Sequence, residues 1–222
     1  MAIINVIKIS ELEAGYVLTP ERYNLSRNIM ENNTFYNIAK VCFIKNESFT
    51  LKKIENDKNY VVFDTGDAEE GYISYKKFID PSNIGSTKKI IKPGDVIISK
   101  LRPYLRQVGF FDTELYEAYP DNTIFLCSTE FYVLKSDEDI SFLAPLLLTN
   151  NIQKVLIQAQ EGGHHPRFKQ NVLENLCIDE KNYENRFSIG EIFKKAISSI
   201  RHGEQKINIL LQQLNNGMPP ID

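Results

Sequence analysis

No run of about 20 uninterrupted apolar residues occurs in this 222-residue chain, so no segment is expected to span a membrane. The opening MAIINVIKISELEAG has no basic stretch leading into an apolar one, which argues against a secretory leader. Cysteine is scarce. Cys42, Cys127 and Cys177 lie far apart with no CxxC pair, and read as free thiols of a cytoplasmic protein rather than a disulfide or zinc framework. Phosphate loops of the GxxxxGK[ST] and GxGxxG kinds are missing, as are the GxSxG elbow and HExxH. Of three histidines only His164 and His165 are neighbours, and adjacent residues of an extended chain point to opposite faces. Neither a metal nor a cofactor is therefore expected. For a metal-dependent nuclease there remain Asp121 and the acid-x-Lys triplet Asp179-Glu180-Lys181, a pattern common by chance in charged sequence.

What is present is ordinary in bulk and uneven in detail. The apolar and charged fractions, 42% and 25%, are near the globular average, and a chain this long buries roughly 70% of its unfolded surface. The net charge of −3 hides local polarity. From Ser86 to Arg106 there are six basic residues (Lys88, Lys89, Lys92, Lys100, Arg102, Arg106) against the single acid Asp95, a local charge of +5. Acid gathers elsewhere, in Asp64–Glu70 and in Asp112–Asp121. A cation stripe on an acidic chain suits a modular anion-binding face, although a solvated loop has the same composition.

Residues 1–140 read as strands and loops. The runs Lys40–Lys45, Asn59–Asp64, Asp95–Lys100, Gln107–Phe111, Thr123–Leu126 and Thr129–Lys135 are short and rich in β-branched and aromatic residues. Lys92-Pro93-Gly94-Asp95 predicts a type II turn, with Pro fixing φ at its second position and Gly supplying a positive φ at its third. Asp139–Gln160 has the spacing of one amphipathic helix, with Pro145 in its first turn and Gly162-Gly163 as its stop. A short helix follows at Gln170–Leu176. A long one runs from Ser188 to Asn215, terminated by Gly217 and two prolines. In it Ile189, Phe193, Ala196, Ile200, Gly203, Ile207, Leu210 and Leu214 step by alternating fours and threes, a heptad seam expected to pair with another helix. The fold class is thus α+β: a mixed, largely antiparallel β domain over 1–185 with packed helices, a coiled-coil helix over 186–216, and a tail over 217–222.

Two clusters suit anion binding. Lys100-Leu101-Arg102-Pro103-Tyr104-Leu105-Arg106 follows a strand directly, and there Arg forks onto a guanine edge or a phosphate while Tyr stacks. Gly162-Gly163-His164-His165-Pro166-Arg167-Phe168-Lys169 lies between two helices, its glycines allowing close backbone approach.

The stretches KPGDVIISKLRPYLRQVGF, STEFYVLKSDEDISFLAPLLLTNNIQKVLIQAQEGG and PRFKQNVLENLCI, in this order over residues 92–178, resemble the target recognition domain of a Type I restriction-modification specificity subunit. Leu18-Thr19-Pro20-Glu21-Arg22-Tyr23 is a weaker echo of the family's opening, and the heptad helix is similar to its spacer helix. The proline-rich ending of the family's domain is replaced here by Cys177-Ile178-Asp179-Glu180. The resemblance implies a non-catalytic, DNA-binding subunit of the cytoplasm that directs an adenine methyltransferase subunit, and in some systems a restriction subunit, to a short target in double-stranded DNA. It implies DNA contact through Lys100, Arg102, Tyr104 and Arg106, then His165, Arg167 and Lys169, with Lys88 and Lys89 on phosphates. It also implies an assembly seam of Ile189, Phe193, Ile200, Ile207, Leu210 and Leu214. With length for one recognition domain instead of two, the chain reads as a half-subunit, pairing with a copy of itself or a second half, or as a single-domain specificity protein or a piece of a longer one. The competing expectations are a stand-alone nuclease using Asp121, Asp179 and Lys181, and an interaction or anti-restriction module that has lost DNA reading.

Overall fold

The computed structural model describes residues 35–45 and 47–216, together with Lys8. The Leu18–Tyr23 stretch and the tail from Gly217 lie outside the described residues. Among the latter the chain begins β1 (Phe35–Asn37), α1 (Ile38–Val41), β2 (Phe43–Lys45), β3 (Ser48–Phe49), β4 (Asn59–Phe63), β5 (Ala68–Glu69) and β6 (Tyr72–Ile73). It continues through β7 (Lys88–Ile90), β8 (Val96–Ser99), β9 (Val108–Phe110), α2 (Thr113–Glu117), β10 (Thr123–Ser128) and β11 (Phe131–Lys135). Then come α3 (Leu143–Leu147), α4 (Asn150–Gln158), α5 (Gln170–Glu174), β12 (Cys177–Asp179), α6 (Glu180–Glu184) and α7 (Arg186–Asn215).

Two four-stranded sheets pack face to face under a layer of helices. One sheet has the order β2-β11-β8-β9 and is antiparallel throughout. The other, β3-β7-β10-β4, is antiparallel except for the β10–β4 pair. Alternation along the strands assigns the layers. Val96, Ile98, Tyr132 and Leu134 face α3–α5, whereas Ile97, Phe131 and Val133 face the second sheet and meet its Val61, Phe63, Phe125 and Cys127. Tyr60, Val62 and Leu126 fill a third cluster on the second sheet's outer face. Because both faces are covered, these strands are nearly continuous apolar runs, which is why they were legible. The turn at Lys92–Asp95 is as expected: Gly94 has φ +91° and the Asp95 amide donates to Lys92 O at 3.0 Å.

Three expected boundaries move. The Lys40–Lys45 run is half helix, with α1 ending at Val41 and strand beginning at Phe43. The single helix over 139–160 is two, because Thr149 takes an extended conformation as the N-cap of α4. Its stop lies at Ala159, and Gly162 (φ +97°) serves the following loop instead.

The pair β1–β12 closes the domain, reinforced by the Ile38 amide donating to Leu176 O at 3.0 Å and by stacking of Tyr36 on Tyr183 at 3.7 Å. From there α7 starts, 30 residues and about 45 Å long. Its first four turns lie on the domain. Gly190 is buried so tightly that a Cβ there would sit 2.5 Å from Ser141 Oγ. Phe193 meets Phe110 edge-on at 6.1 Å, and Ile197 is buried. Arg201 is fully buried, its Nη2 donating to Asp112 Oδ2 (2.5 Å) and Ile73 O (2.9 Å) and its Nη1 to Tyr72 Oη (2.8 Å). Thus Ile189 and Phe193, expected in the assembly seam, pack on their own domain. The physical reason is that the docked stripe (Gly190, Phe193, Ile197, Arg201) steps by three, four and four, close to the 3.6-residue period of a straight helix on a globular surface. Off this stripe Ile200, Ile207, Leu210 and Leu214 are exposed.

Candidate nucleic-acid interface

Strand β8 ends at Ser99, whose hydroxyl donates to Leu101 O (3.0 Å) and accepts from the Leu101 amide (3.2 Å), turning the chain sharply. A tight loop to β9 follows. Arg102 (φ +47°) and Arg106 (φ +54°) both have left-handed backbones and bracket a single 3-10 turn, Pro103–Leu105. Pro103 is buried, whereas Tyr104 and Leu105 project into solvent.

A second loop closes against the first. Glu161 and Arg167 exchange both backbone hydrogen bonds (2.8 and 2.9 Å), pinching off a hairpin whose tip carries His164 and His165. The Arg102 amide donates to Pro166 O (3.0 Å) and the Phe168 amide to Lys100 O (3.1 Å), so two segments more than sixty residues apart form one rim. Buried Phe168 anchors it, packed 5.5 Å from the Tyr132 ring, whose hydroxyl donates to its carbonyl at 3.1 Å. The β10–β11 turn arrives at the same end of the domain, since Phe131 pairs with Ser99 and Ser128 with Lys88. Lys88, Lys100, Arg102, Tyr104, Arg106, His165, Arg167 and Lys169 therefore converge on one end of the molecule.

Lys89 departs from the expectation of a phosphate-binding side chain. It points into the protein, donates to Phe131 O at 2.7 Å, lies over the Tyr132 ring, and has its pKa lowered by burial. The reason is strand alternation: Lys88 and Lys89 sit on opposite faces of β7, and only Lys88 reaches solvent, bonded to Ser86 Oγ at 2.9 Å.

The acid is nearer than the sequence suggested. Glu70, read as part of a separate acidic loop, grips the Arg106 guanidinium with both carboxylate oxygens (2.6 and 3.1 Å). Its turn is brought there by Gly71, whose amide donates to Val108 O at 2.9 Å. Glu130 likewise holds Arg167 through two bonds (2.9 and 3.0 Å), with Lys100 Nζ 3.9 Å away, and the Arg167 hydrogen bonds hold the Glu130 carboxyl below its ordinary range. Lys169 pairs with Glu161 at 2.9 Å. Glu130 and Glu161 were not singled out in the sequence, and Glu70 was placed only in an acidic loop away from the cations, since each meets its cation only through the long-range fold or the hairpin. The Arg102 guanidinium has no carboxylate partner among the described residues.

The nuclease residues are not gathered. Asp179 caps α6, accepting from the Asn182 amide at 2.9 Å, and lies on the small β1–β12 sheet, whereas Asp121 is in the turn before β10. Among the described residues no three His, Cys, Asp or Glu are grouped to hold a metal ion, and no helix is long and apolar enough to cross a membrane.

No family model matches this sequence. Over 162 residues it is 26% identical to the Type I restriction enzyme HindI specificity subunit of Haemophilus influenzae, an alignment covering 70% of this chain and 34% of the relative. The solved HsdS subunit from Thermoanaerobacter tengcongensis superposes with a TM-score of 0.54 at 22% identity, over 81% of this chain and 46% of that one. A chain from a structural study of complex assembly and conformational transition of the type I R-M system gives a TM-score of 0.55 at 23% identity, over 85% and 50%. The chain thus spans about a third of the curated relative's length and about half of the solved chains. In sequence and in fold alike, it is similar to the specificity subunits of Type I restriction-modification systems.

Proposed function

We propose that this chain is a DNA-recognition half of a Type I-like specificity subunit, non-catalytic by itself, which reads a short sequence in double-stranded DNA and positions a methyltransferase subunit there. The observation that carries the reading is the joining of the 100–106 and 161–169 loops by main-chain bonds, which gathers Lys100, Arg102, Arg106, Arg167 and Lys169 at one end of a domain whose fold is that of such subunits. Arg102 and Lys88 supply charge toward phosphates, and the remaining forks reach base edges or phosphates by exchanging their carboxylate partners. The recognition domain is residues 1–185, and α7 is the spacer that joins a second copy or a second half through its exposed Ile200, Ile207, Leu210 and Leu214. A homodimer would read two half-sites related by a two-fold axis. The working complex is cytoplasmic, with a restriction subunit as a further partner.

The test is selection from a randomised duplex pool by the purified chain, followed by anisotropy titration of the enriched duplex. One short sequence is expected to be enriched, and Arg102→Ala with Arg106→Ala is expected to weaken its binding by about a hundredfold at moderate salt. Unchanged affinity in the double variant, or no enrichment at all, overturns the reading.

A further inference from the structure

Within the interface, Tyr104 and Leu105 do not behave like the rest. They are large side chains, 49% and 43% exposed, at the apex of a loop that is otherwise fixed on every side. Flexible loops hide such groups or carry polar ones, whereas here the backbone is strained to display them. Both residues of the bracket, the non-glycines Arg102 and Arg106, occupy left-handed conformations, which persist only where the surroundings over-determine them. The surroundings do so: buried Pro103, the Leu105 amide on Arg102 O (2.9 Å), the Arg106 amide on Pro103 O (2.8 Å), and the Arg102 amide on Pro166 O (3.0 Å). The Glu70 fork on Arg106 fixes the far side. The tip is a rigid apolar wedge.

We propose that Tyr104 and Leu105 are the base-reading residues of this domain, set against base faces and thymine methyl groups of the duplex, while the cations around them fix position on the phosphates. This inference rests on the DNA-recognition reading above and names which of its groups carry sequence information. Charge supports DNA as the occupant: the wedge rises from the rim that main-chain bonds form between the Lys100–Arg102 and Pro166–Phe168 segments, which carries Lys100, Arg102 and Arg167, and Arg102 has no carboxylate partner among the described residues. Two guanidinium forks, Arg106 and Arg167, are already held in two-bond pairs with Glu70 and Glu130, so beside Arg102 the uncommitted surface at the apex is a phenol ring and an isobutyl group. An aromatic ring gains from stacking on any base, and an aliphatic group distinguishes thymine by its methyl. A rigid display also avoids the ordering cost that a mobile loop meets on binding.

Apolar base contact and phosphate contact separate by their salt dependence, because only the latter releases counterions. The full chain and its variants are titrated against the duplex enriched from the randomised pool and against a scrambled duplex, at several salt concentrations. Tyr104→Ala and Leu105→Ala are expected each to weaken binding of the enriched duplex about tenfold, leave the scrambled duplex unchanged, and preserve the slope of log affinity against log salt. Tyr104→Phe should retain the wild-type behaviour. Arg102→Ala serves as the contrast, weakening both duplexes and lowering the slope by about one. If the two alanine variants still select the enriched duplex with wild-type preference, the inference falls while DNA recognition stands. Equal weakening on both duplexes with a shallower slope also overturns it, assigning the tip to phosphates. A wild-type chain that enriches no sequence overturns the recognition reading itself, and this inference with it.

Discussion

The two halves of α7 have similar apolar content and opposite surroundings. From Arg186 to Arg201 the helix is fastened to the domain by Gly190, Phe193, Ile197 and Arg201, whereas from His202 to Asn215 Ile207, Ile209, Leu210, Leu211 and Leu214 all face solvent. The docked half is held by shape and by one buried cation, not by a broad hydrophobic stripe. A helix interior in water is only marginally stable for a segment of some fourteen residues, so the free half gains its order from continuity with the docked one and from whatever covers its apolar side. The first half is the clamp that sets the direction of the arm, and the second is the arm.

The clamp is most sensitive at Arg201. Its guanidinium makes two bonds to Asp112 from Nε (2.9 and 3.0 Å) besides the contacts of its Nη atoms, and it lies 4.4 Å from the Tyr72 ring. Asp112 in turn caps α2, accepting from the Leu115 amide at 2.9 Å. Tyr72 also hydrogen-bonds Glu204, one turn further along α7. Truncation of one partner leaves the other charge buried and alone, so Arg201→Ala is expected to destabilise the chain by about 3–5 kcal/mol, read as a lowered urea midpoint. Exchanging both partners for apolar residues, Arg201→Met with Asp112→Leu, should recover part of the loss, and a double-mutant cycle measures the coupling. The next largest effect is expected at Gly190. A Cβ there would be 2.5 Å from Ser141 Oγ and 3.5 Å from the Phe142 amide nitrogen, so Gly190→Val must lift the helix start from α3. A loss of about 1–3 kcal/mol is expected in the same denaturation experiment. Gly203→Ala, with nothing within 4 Å of its added Cβ, should instead raise stability by up to about 1 kcal/mol.

The contrast also explains what was legible in the sequence. Strands β4, β8, β9, β10 and β11 were, because burial on both faces writes unbroken β-branched and aromatic runs, and the Pro-Gly turn was, because its chemistry is local. The α3–α4 region was not: Leu143, Ala144, Leu146 and Leu147 are all buried, so the apolar pattern carries no face by which to see the break at Thr149. For α7 the heptad pattern is real, yet Ile189 and Phe193 serve a surface that the pattern cannot identify. Arg201 was invisible, since an arginine in a helix reads as solvent-facing until Asp112, 89 residues away, is known to face it. The interface was legible in its cations and illegible in its acids for the same reason: the Arg106–Glu70 and Arg167–Glu130 pairs span 36 and 37 residues.

A smaller contribution to the clamp is pH-dependent. Burial pushes the Asp139 carboxyl up, but hydrogen bonds from Lys194 of α7 (2.8 Å) and from the Ser141 amide (2.9 Å) outweigh it, so its folded pKa lies below the ordinary 3.8. For an acid lowered on folding, the stabilisation is fully present above the unfolded pKa and is lost as pH falls through the folded one. Asp139→Asn should therefore cost below about 1 kcal/mol at pH 6, because the pair is partly exposed and screened, and the difference from wild type should be smaller at a pH below 3.8, shrinking further as the folded carboxyl is protonated. A variant equally destabilised at both values would assign the effect to shape instead of charge.

The arm supplies the sharpest contrast, because its expected effect on the single chain is close to nothing. Ile207→Ser with Leu214→Ser removes two side chains that are 58% and 55% exposed, and surface changes of this kind alter folding stability by about 0.5 kcal/mol or less. Any larger loss of unfolding free energy at low concentration would mean that the arm packs on its own domain, which would erase the distinction between the two halves. Self-association is where these substitutions should act. If the exposed stripe is the pairing seam, sedimentation equilibrium of the wild type at tens of micromolar should give a dimer and the double variant a monomer. The Arg201→Ala chain gives the complementary result: weakened folding with the seam chemically intact. A clamp variant that still dimerises while folded, beside an arm variant that folds but does not pair, separates holding the arm from using it. Arm variants that remain dimeric would place the partner surface on the domain and leave Ile207, Leu210 and Leu214 free for a different chain.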